Sequence, residues 1–243
     1  MQQAEWFEEW FDSPYYHILY RDRDESEAEG FIDHLLQILA PPDGAKILDL
    51  ACGKGRYSLH LAKKGFEVVG LDLSAQSIAQ AKRLERDNLR FLVHDMRQPL
   101  PVQGFDYIFN FFTSFGYFDT EAEDLQTLKN VQDALKTGGL LVLDFFNAHY
   151  VRNRLTGWEQ KTIDGVKFDL HKRIEGKHVV KAIHFQNGDQ RLFYEERVRL
   201  FTLVDFQRLL GAAGLKLKKV YGDYQLQPFD KQESPRLILI AEA

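Results

Sequence analysis

The segment Leu48-Asp49-Leu50-Ala51-Cys52-Gly53-Lys54-Gly55-Arg56 joins an apolar run to a helical one. Gly53 and Gly55 let the backbone turn sharply and let a ligand approach where a side chain would collide. The helix that starts after them offers free N–H groups to an anionic ligand group. Two acids follow in the same relation to later apolar runs. Asp72 ends the second run, 19 residues after Gly53, where a carboxylate can accept both hydroxyls of a ribose. Asp95, beside Met96, follows the third run, where a short acid can meet an adenine edge. The three features in order describe a nucleoside site. The turn reads Gly53-x-Gly55-x-x-Ser58 and lacks the third glycine of dinucleotide oxidoreductases. Asp49 would repel a pyrophosphate but suits a sulfonium or ammonium group.

These residues need strands and helices to place them. Residues 1–43 read as helical, with aromatics at helical spacing in Trp6-Phe7-Glu8-Glu9-Trp10-Phe11, a break at Ser13-Pro14, and a second helix over 26–39. Strands are expected over 46–51, 67–71, 89–94, 105–111 and 140–145, and helices over 56–64, 74–86 and 122–135, with Gly138-Gly139 ending the last. Strands separated by helices imply a parallel sheet covered on both faces. The rhythm then changes. Asp164-Gly165, Glu175-Gly176 and Asn187-Gly188-Asp189 are turn signals between alternating runs, giving antiparallel strands over 158–163, 166–174, 178–185 and 191–200. A helix over 203–212, capped by Thr202, and strands over 215–221 and 237–241 close the chain. The fold class is therefore α/β: a Rossmann-like, doubly wound, mostly parallel seven-stranded sheet with a small inserted antiparallel sheet. Residues 1–150 hold a helical arm and the first part of the main domain, 151–200 the insert, expected to roof the acceptor pocket as a lid, and 201–243 the closing elements.

Composition narrows the setting. The 243 residues are 44% hydrophobic and 28% charged, with 31 basic and 36 acidic side chains for a net charge of −5. Such a chain buries its own core, and mild acidity makes nucleic acid a poor partner. The single Cys52 excludes an intrachain disulfide and a cysteine-cluster zinc site. Neither a signal-peptide pattern nor a run of roughly 20 apolar residues is present. The expectation is a cytoplasmic protein with no membrane partner, as a monomer or homodimer.

Residues 47–147 resemble a class I S-adenosylmethionine-dependent methyltransferase. LDLACGKGR is similar to the first motif of that superfamily, with Ala51 where the first glycine often sits and Lys54 where Thr or Ser is frequent. Asp72 matches the ribose acid, Asp95-Met96 the adenine position, and Phe109–Tyr117 the segment after strand four. The insert, the amino-terminal Tyr15-Tyr16-His17-Ile18-Leu19-Tyr20-Arg21-Asp22-Arg23-Asp24 and the tail with Tyr221-Gly222-Asp223-Tyr224 resemble a subgroup that includes bacterial amino-sugar N-methyltransferases. The likeness spans nearly the whole chain and leaves the acceptor open. It implies S-adenosyl-L-methionine as cofactor and S-adenosyl-L-homocysteine as product. It implies cofactor contacts at Tyr20, Arg23, Asp49, Ala51, Cys52, Gly53, Gly55, Asp72, Leu73, Asp95, Met96, Asn110 and Phe111. The function expected is methyl transfer to a nitrogen or oxygen of a small molecule by in-line displacement. A non-catalytic cofactor-binding protein of the same fold is the alternative.

Such an acceptor needs a proton acceptor near its nucleophile, and Tyr16, His17, His149 and Tyr221 are the candidates. No metal is expected. Asp144 and Asn147 lie where metal-dependent relatives place ligands, but the adjacent acid-amide pair is absent. Cys52 reads as a small packed residue, and the aromatics of 6–11 as a packed helix face or a substrate wall. The arm and the insert are the two segments able to close over the site, and the apolar face of the insert is expected to lie on the main domain.

Overall fold

The computed structural model describes residues 5–20, 25–188 and 190–243. Three helices precede the first strand: α1 (Trp6–Phe11), α2 (Pro14–Leu19) and α3 (Glu25–Leu39). Ser13-Pro14 breaks α1 as expected, but it also starts α2, which the sequence reading did not separate. Ser13 Oγ accepts from the Tyr15 N–H at 3.2 Å, and Pro14 takes the first helical position, where its missing N–H is no loss.

The alternating part follows the expected order, as β1 (Lys46–Leu50), α4 (Arg56–Lys63), β2 (Glu67–Asp72), α5 (Ala75–Ala81), β3 (Leu89–Val93), β4 (Phe105–Asn110), α6 (Glu121–Ala134) and β5 (Leu135–Phe146). Two boundaries move. The helix expected over 74–86 ends at Ala81 and tightens into a 3₁₀ turn over Lys82–Leu84, since Glu85 turns back to accept the Phe91 N–H at 2.9 Å. Gly138-Gly139 does not end a helix but lies inside β5, which starts at Leu135. There the Gly138 N–H donates to Ala243 and the Ala243 N–H to Gly139. A short helix, α7 (Ala148–Arg154), precedes the insert, started by Asn147 Oδ1 accepting the His149 N–H.

The insert is β6 (Trp158–Ile163), β7 (Val166–Glu175), β8 (His178–Asn187) and β9 (Gln190–Arg199), paired antiparallel in chain order. Helix α8 (Leu203–Ala212), capped reciprocally by Thr202 and Asp205, and strands β10 (Lys216–Tyr221) and β11 (Arg236–Glu242) complete the main domain.

The main sheet runs β10-β11-β5-β4-β1-β2-β3. β11 runs antiparallel to β10 and β5 on either side of it, and the remaining pairs are parallel. Its order reverses between β1 and β4, and ligands of open α/β sheets bind beyond the carboxyl ends of strands at such a point. One face packs Leu48, Val69, Ile108 and Leu141 against α6 and α8, and the other packs Ile47, Val68 and Phe109 against α3, α4 and α5. A third cluster is separate. Phe168 and Leu170 of β7 with Ile183 and Phe185 of β8 bury themselves against Trp10 and Leu19. The apolar face of the insert is thus covered by the arm rather than by the main domain. The aromatics of α1 and α2 supply an apolar surface that the main domain, already covered by its own helices, does not offer. Among the described residues, no helix is long and apolar enough to cross a membrane.

Candidate active site

A cavity of about 410 Å³ opens beyond the carboxyl ends of β1 to β4, within the roughly 300–1,000 Å³ typical of small-ligand sites. Its core wall is made by the loop after β1. The Gly53 N–H donates to Asp72 Oδ2 at 2.7 Å, the Ser74 N–H to Asp72 Oδ1 at 2.8 Å, and the Cys52 N–H to the Leu71 carbonyl at 2.9 Å. Ala51 is left-handed at φ +64°, which accounts for the glycine that resembling sequences often carry there. The two glycines separate in role. A Cβ on Gly53 (φ +54°) meets nothing within 4 Å, whereas one on Gly55 (φ +77°) would lie 2.3 Å from Phe91 Cζ and 3.1 Å from Ala81 Cβ. Gly53 keeps space open on the cavity; Gly55 lets α4 start against β3 and α5.

Asp49 lines the cavity and is 2% exposed. Burial pushes its carboxyl up to about 6, against the Ser58 hydroxyl that donates to it at 2.6 Å. No cationic side chain pairs with it among the described residues, so a bound cation would supply its missing counter-charge. That fits a sulfonium and an α-ammonium. Burial also raises the Asp72 carboxyl, although the Ser74 and Gly53 amides oppose the shift. Asp95 behaves oppositely. Burial acts to raise it, but the Arg97 guanidinium, with two-point contacts at 2.8–3.1 Å, holds it below its usual range. Burial and the nearby Asp49 and Asp72 push the Cys52 thiol up, so it stays neutral and packed.

The arm makes the facing wall. Phe7, Phe11, Tyr16, His17 and Tyr20 line the cavity, while Trp10 turns away to donate to Glu196 at 2.7 Å. The aromatic helix packs with one set of rings and lines the cavity with another. Polar ties hold it down. Arg97 meets Glu5 at 2.7 Å and Glu123 at 3.1 Å; Asp12 accepts from Ser74 Oγ at 2.6 Å and from the Gln76 N–H at 3.0 Å; the Tyr20 hydroxyl donates to Glu196 at 2.5 Å. His17 Nε2 is buried with no hydrogen-bond partner. Burial and then the Lys54 ammonium lower its imidazole, so it is neutral near pH 7.

The structure brings together Asp49, Ala51, Cys52, Gly53, Asp72, Leu73, Asp95, Met96 and Phe111 with Tyr16, His17 and Tyr20. Arg23 lies outside the described residues. Gly55, Asn110, His149 and Tyr221 are not in the lining. Asn110 is buried and donates to the Leu50 and Ser114 carbonyls, joining β4 to β1. His149 sits in α7, and Tyr221 ends β10 opposite Ile238. Sequence reasoning did not single out Lys54, Tyr57, His94 or Phe118 as lining; the aromatic run after β4 was the available signal for Phe118. Phe112, in the same run, is a lining residue with a left-handed backbone, and Thr113 next to it, which does not line the cavity, is left-handed too. Asp144 holds that turn by accepting the Phe112 N–H at 2.8 Å, and is itself held by Arg236 at 2.7 Å. Among the described residues, no group of three His, Cys, Asp or Glu side chains could hold a metal.

Comparison with known proteins agrees with this geometry. Residues 47–139 match the family described as "Methyltransferase domain". The chain is 30% identical over 193 residues to YqeM of Bacillus subtilis, which is named a methyltransferase, covering 75% of this chain and 78% of YqeM. It is 29% identical to a dTDP-3-amino-3,6-dideoxy-alpha-D-glucopyranose N,N-dimethyltransferase of Streptomyces fradiae, over 74% of each chain. In structure it is similar to an S-adenosylmethionine-dependent methyltransferase of Clostridium acetobutylicum, with a TM-score of 0.79 at 21% identity over 94% of this chain and 95% of that one.

Proposed function

The chain belongs to the class I S-adenosylmethionine-dependent methyltransferases, and from that premise we propose that it methylates a nitrogen or oxygen nucleophile of a small molecule. S-adenosylmethionine supplies a methyl group already activated on its sulfonium. The residues need only hold, orient and dry the site. Asp72 takes the ribose hydroxyls, Asp95 and Met96 the adenine, and the loop Ala51-Cys52-Gly53 the amino-acid end, with Asp49 facing the positive charge. The acceptor enters under the arm, between Tyr16, His17 and the aromatic turn at Phe111-Phe112. The insert acts through the arm: it anchors Trp10 and Tyr20, and none of its described residues lines the cavity. A cavity of this size under a closed arm favours a small acceptor, and the amino-sugar relative favours an amine.

One observation carries the reading: a neutral His17 stands in the wall of the cavity, its imidazole lowered by burial and then by the Lys54 ammonium. A neutral imidazole in that wall can take the proton that an amine or alcohol must lose. Tyr16 lines the same cavity, but a phenol is protonated at neutral pH and is the poorer acceptor. The test is a panel of amines, amino-sugars and small alcohols, scored by S-adenosylhomocysteine formation. We expect acceptor-dependent turnover that His17→Gln lowers by about 10²–10⁴-fold, with S-adenosylmethionine affinity kept. Because the His17 imidazole is depressed in the free protein, kcat/KM should rise with pH to a plateau with its midpoint below 6.5, the ordinary histidine value. Turnover on none of the panel, or a variant as active as the wild type, overturns the proposal.

A further inference from the structure

A second cavity, of about 460 Å³, lies between the end of α2 and the inward face of the insert. Among the described residues its lining carries three ammonium groups, Lys161, Lys172 and Lys181, and one acid, Glu159. Lys161 and Lys172 both reach Glu159, at 3.2 and 3.3 Å, so one carboxylate serves two ammonium groups. Lys181 donates to the Tyr20 hydroxyl at 2.5 Å and lies 3.6 Å from Glu196 behind it. The register sets Lys172 directly opposite Lys181 on β7 and β8. Like charges in that relation destabilise a sheet. Here they sit on the face that otherwise carries Phe168, Leu170, Ile183 and Phe185, and the Lys181 side chain is only 15% exposed. An anion seated between the two strands would remove the repulsion. Tyr20 lines this cavity and the cofactor cavity alike. A ligand anchored by its charge at Lys172 is therefore one side chain away from the place of methyl transfer.

We infer that the cavity between α2 and the insert docks an anionic group, phosphate or carboxylate, of the methyl acceptor. This rests on the reading of the neighbouring cavity as the methyl-transfer site. Lys172 and Lys181 supply the charge. The acceptor is thus a small molecule with a nucleophile at one end and a negative group at the other.

The test is calorimetry on the whole protein saturated with S-adenosylhomocysteine, which fills the first cavity. Pyrophosphate and malonate serve as probes at constant ionic strength. The wild type should bind one or both. Lys172→Gln should weaken that binding about tenfold or more, as loss of a charged hydrogen-bond partner does, while S-adenosylhomocysteine affinity is unchanged. Lys161→Gln, on a more exposed position of the same lining, is the second variant should the first not fold. Tighter pyrophosphate binding assigns a phosphate and tighter malonate binding a carboxylate; either supports the site. No binding of either probe to the wild type, or equal binding to wild type and variants, overturns it. S-adenosylhomocysteine binding is measured first, so a failure of the cofactor cavity is seen separately from a failure of the anion site.

Discussion

The two walls of the cofactor cavity are built by opposite means. The core wall is backbone: parallel strands end side by side, and Asp72 accepts the Gly53 and Ser74 amides from within one strand–loop–strand unit. The arm wall is side chains brought from far along the chain. Glu5 meets Arg97, Asp12 meets Ser74, and Trp10 and Tyr20 converge on Glu196. Once the sheet has formed, the first wall has no alternative arrangement. The second exists only while several exchangeable polar contacts hold together, each worth about 0.5–3 kcal/mol. Substitutions in the core wall should therefore reach the stability of the whole domain or the cofactor itself. Substitutions in the arm wall should reach closure alone.

The largest expected effect tests the first half of that contrast. Gly55→Ala puts a methyl group into the Phe91 ring at a left-handed position and should cost about 2–5 kcal/mol, as overpacking and backbone strain together do. Gly53→Ala meets open space and should cost only the backbone strain, about 1–2 kcal/mol. Urea denaturation of both compares them directly, and equal losses would erase the distinction between packing glycine and site glycine. Next in size, Asp72→Ala removes a charged acceptor from the core wall. S-adenosylhomocysteine affinity should fall by about 1.5–3 kcal/mol, and undiminished binding in calorimetry would take the ribose away from Asp72. The smallest effect sharpens the second half. Glu196→Ala leaves the Trp10 and Tyr20 donors without their shared carboxylate. Amide exchange in residues 5–20 should speed up by about 5–30-fold, the factor that 1–2 kcal/mol represents, with β1 to β5 unaffected. Acceleration throughout the protein would mean that arm and core unfold together.

The same contrast explains what could be read from residues alone. Local rules dictate the core wall. A strand followed by Gly53-x-Gly55 and a helix, with acids after the next two strands, has few other solutions, so Asp49, Asp72 and Asp95 were found at their places. The insert was legible for a like reason, since Asp164-Gly165 and Glu175-Gly176 mark its hairpins. What covers its apolar face was not legible. Periodicity says that Phe168 and Leu170 face inward, not whether Trp10 or a main-domain helix meets them. His149 and Tyr221 fell outside the cavity because proximity in the fold, not residue type, selects a proton acceptor. Gly55 was grouped with Gly53 because the Phe91 ring that demands it lies on another strand.

Glu196 also sets an order of events during synthesis. Its two arm partners, Trp10 and Tyr20, lie 186 and 176 residues before it. At roughly 5–20 residues per second the arm leaves the ribosome on the order of ten seconds or more before its anchor is made. The arm is thus made well before the strand that anchors it. Until β7 and β8 are made, Trp10 lacks the apolar sheet that buries it, and until β9 is made it lacks the Glu196 carboxylate.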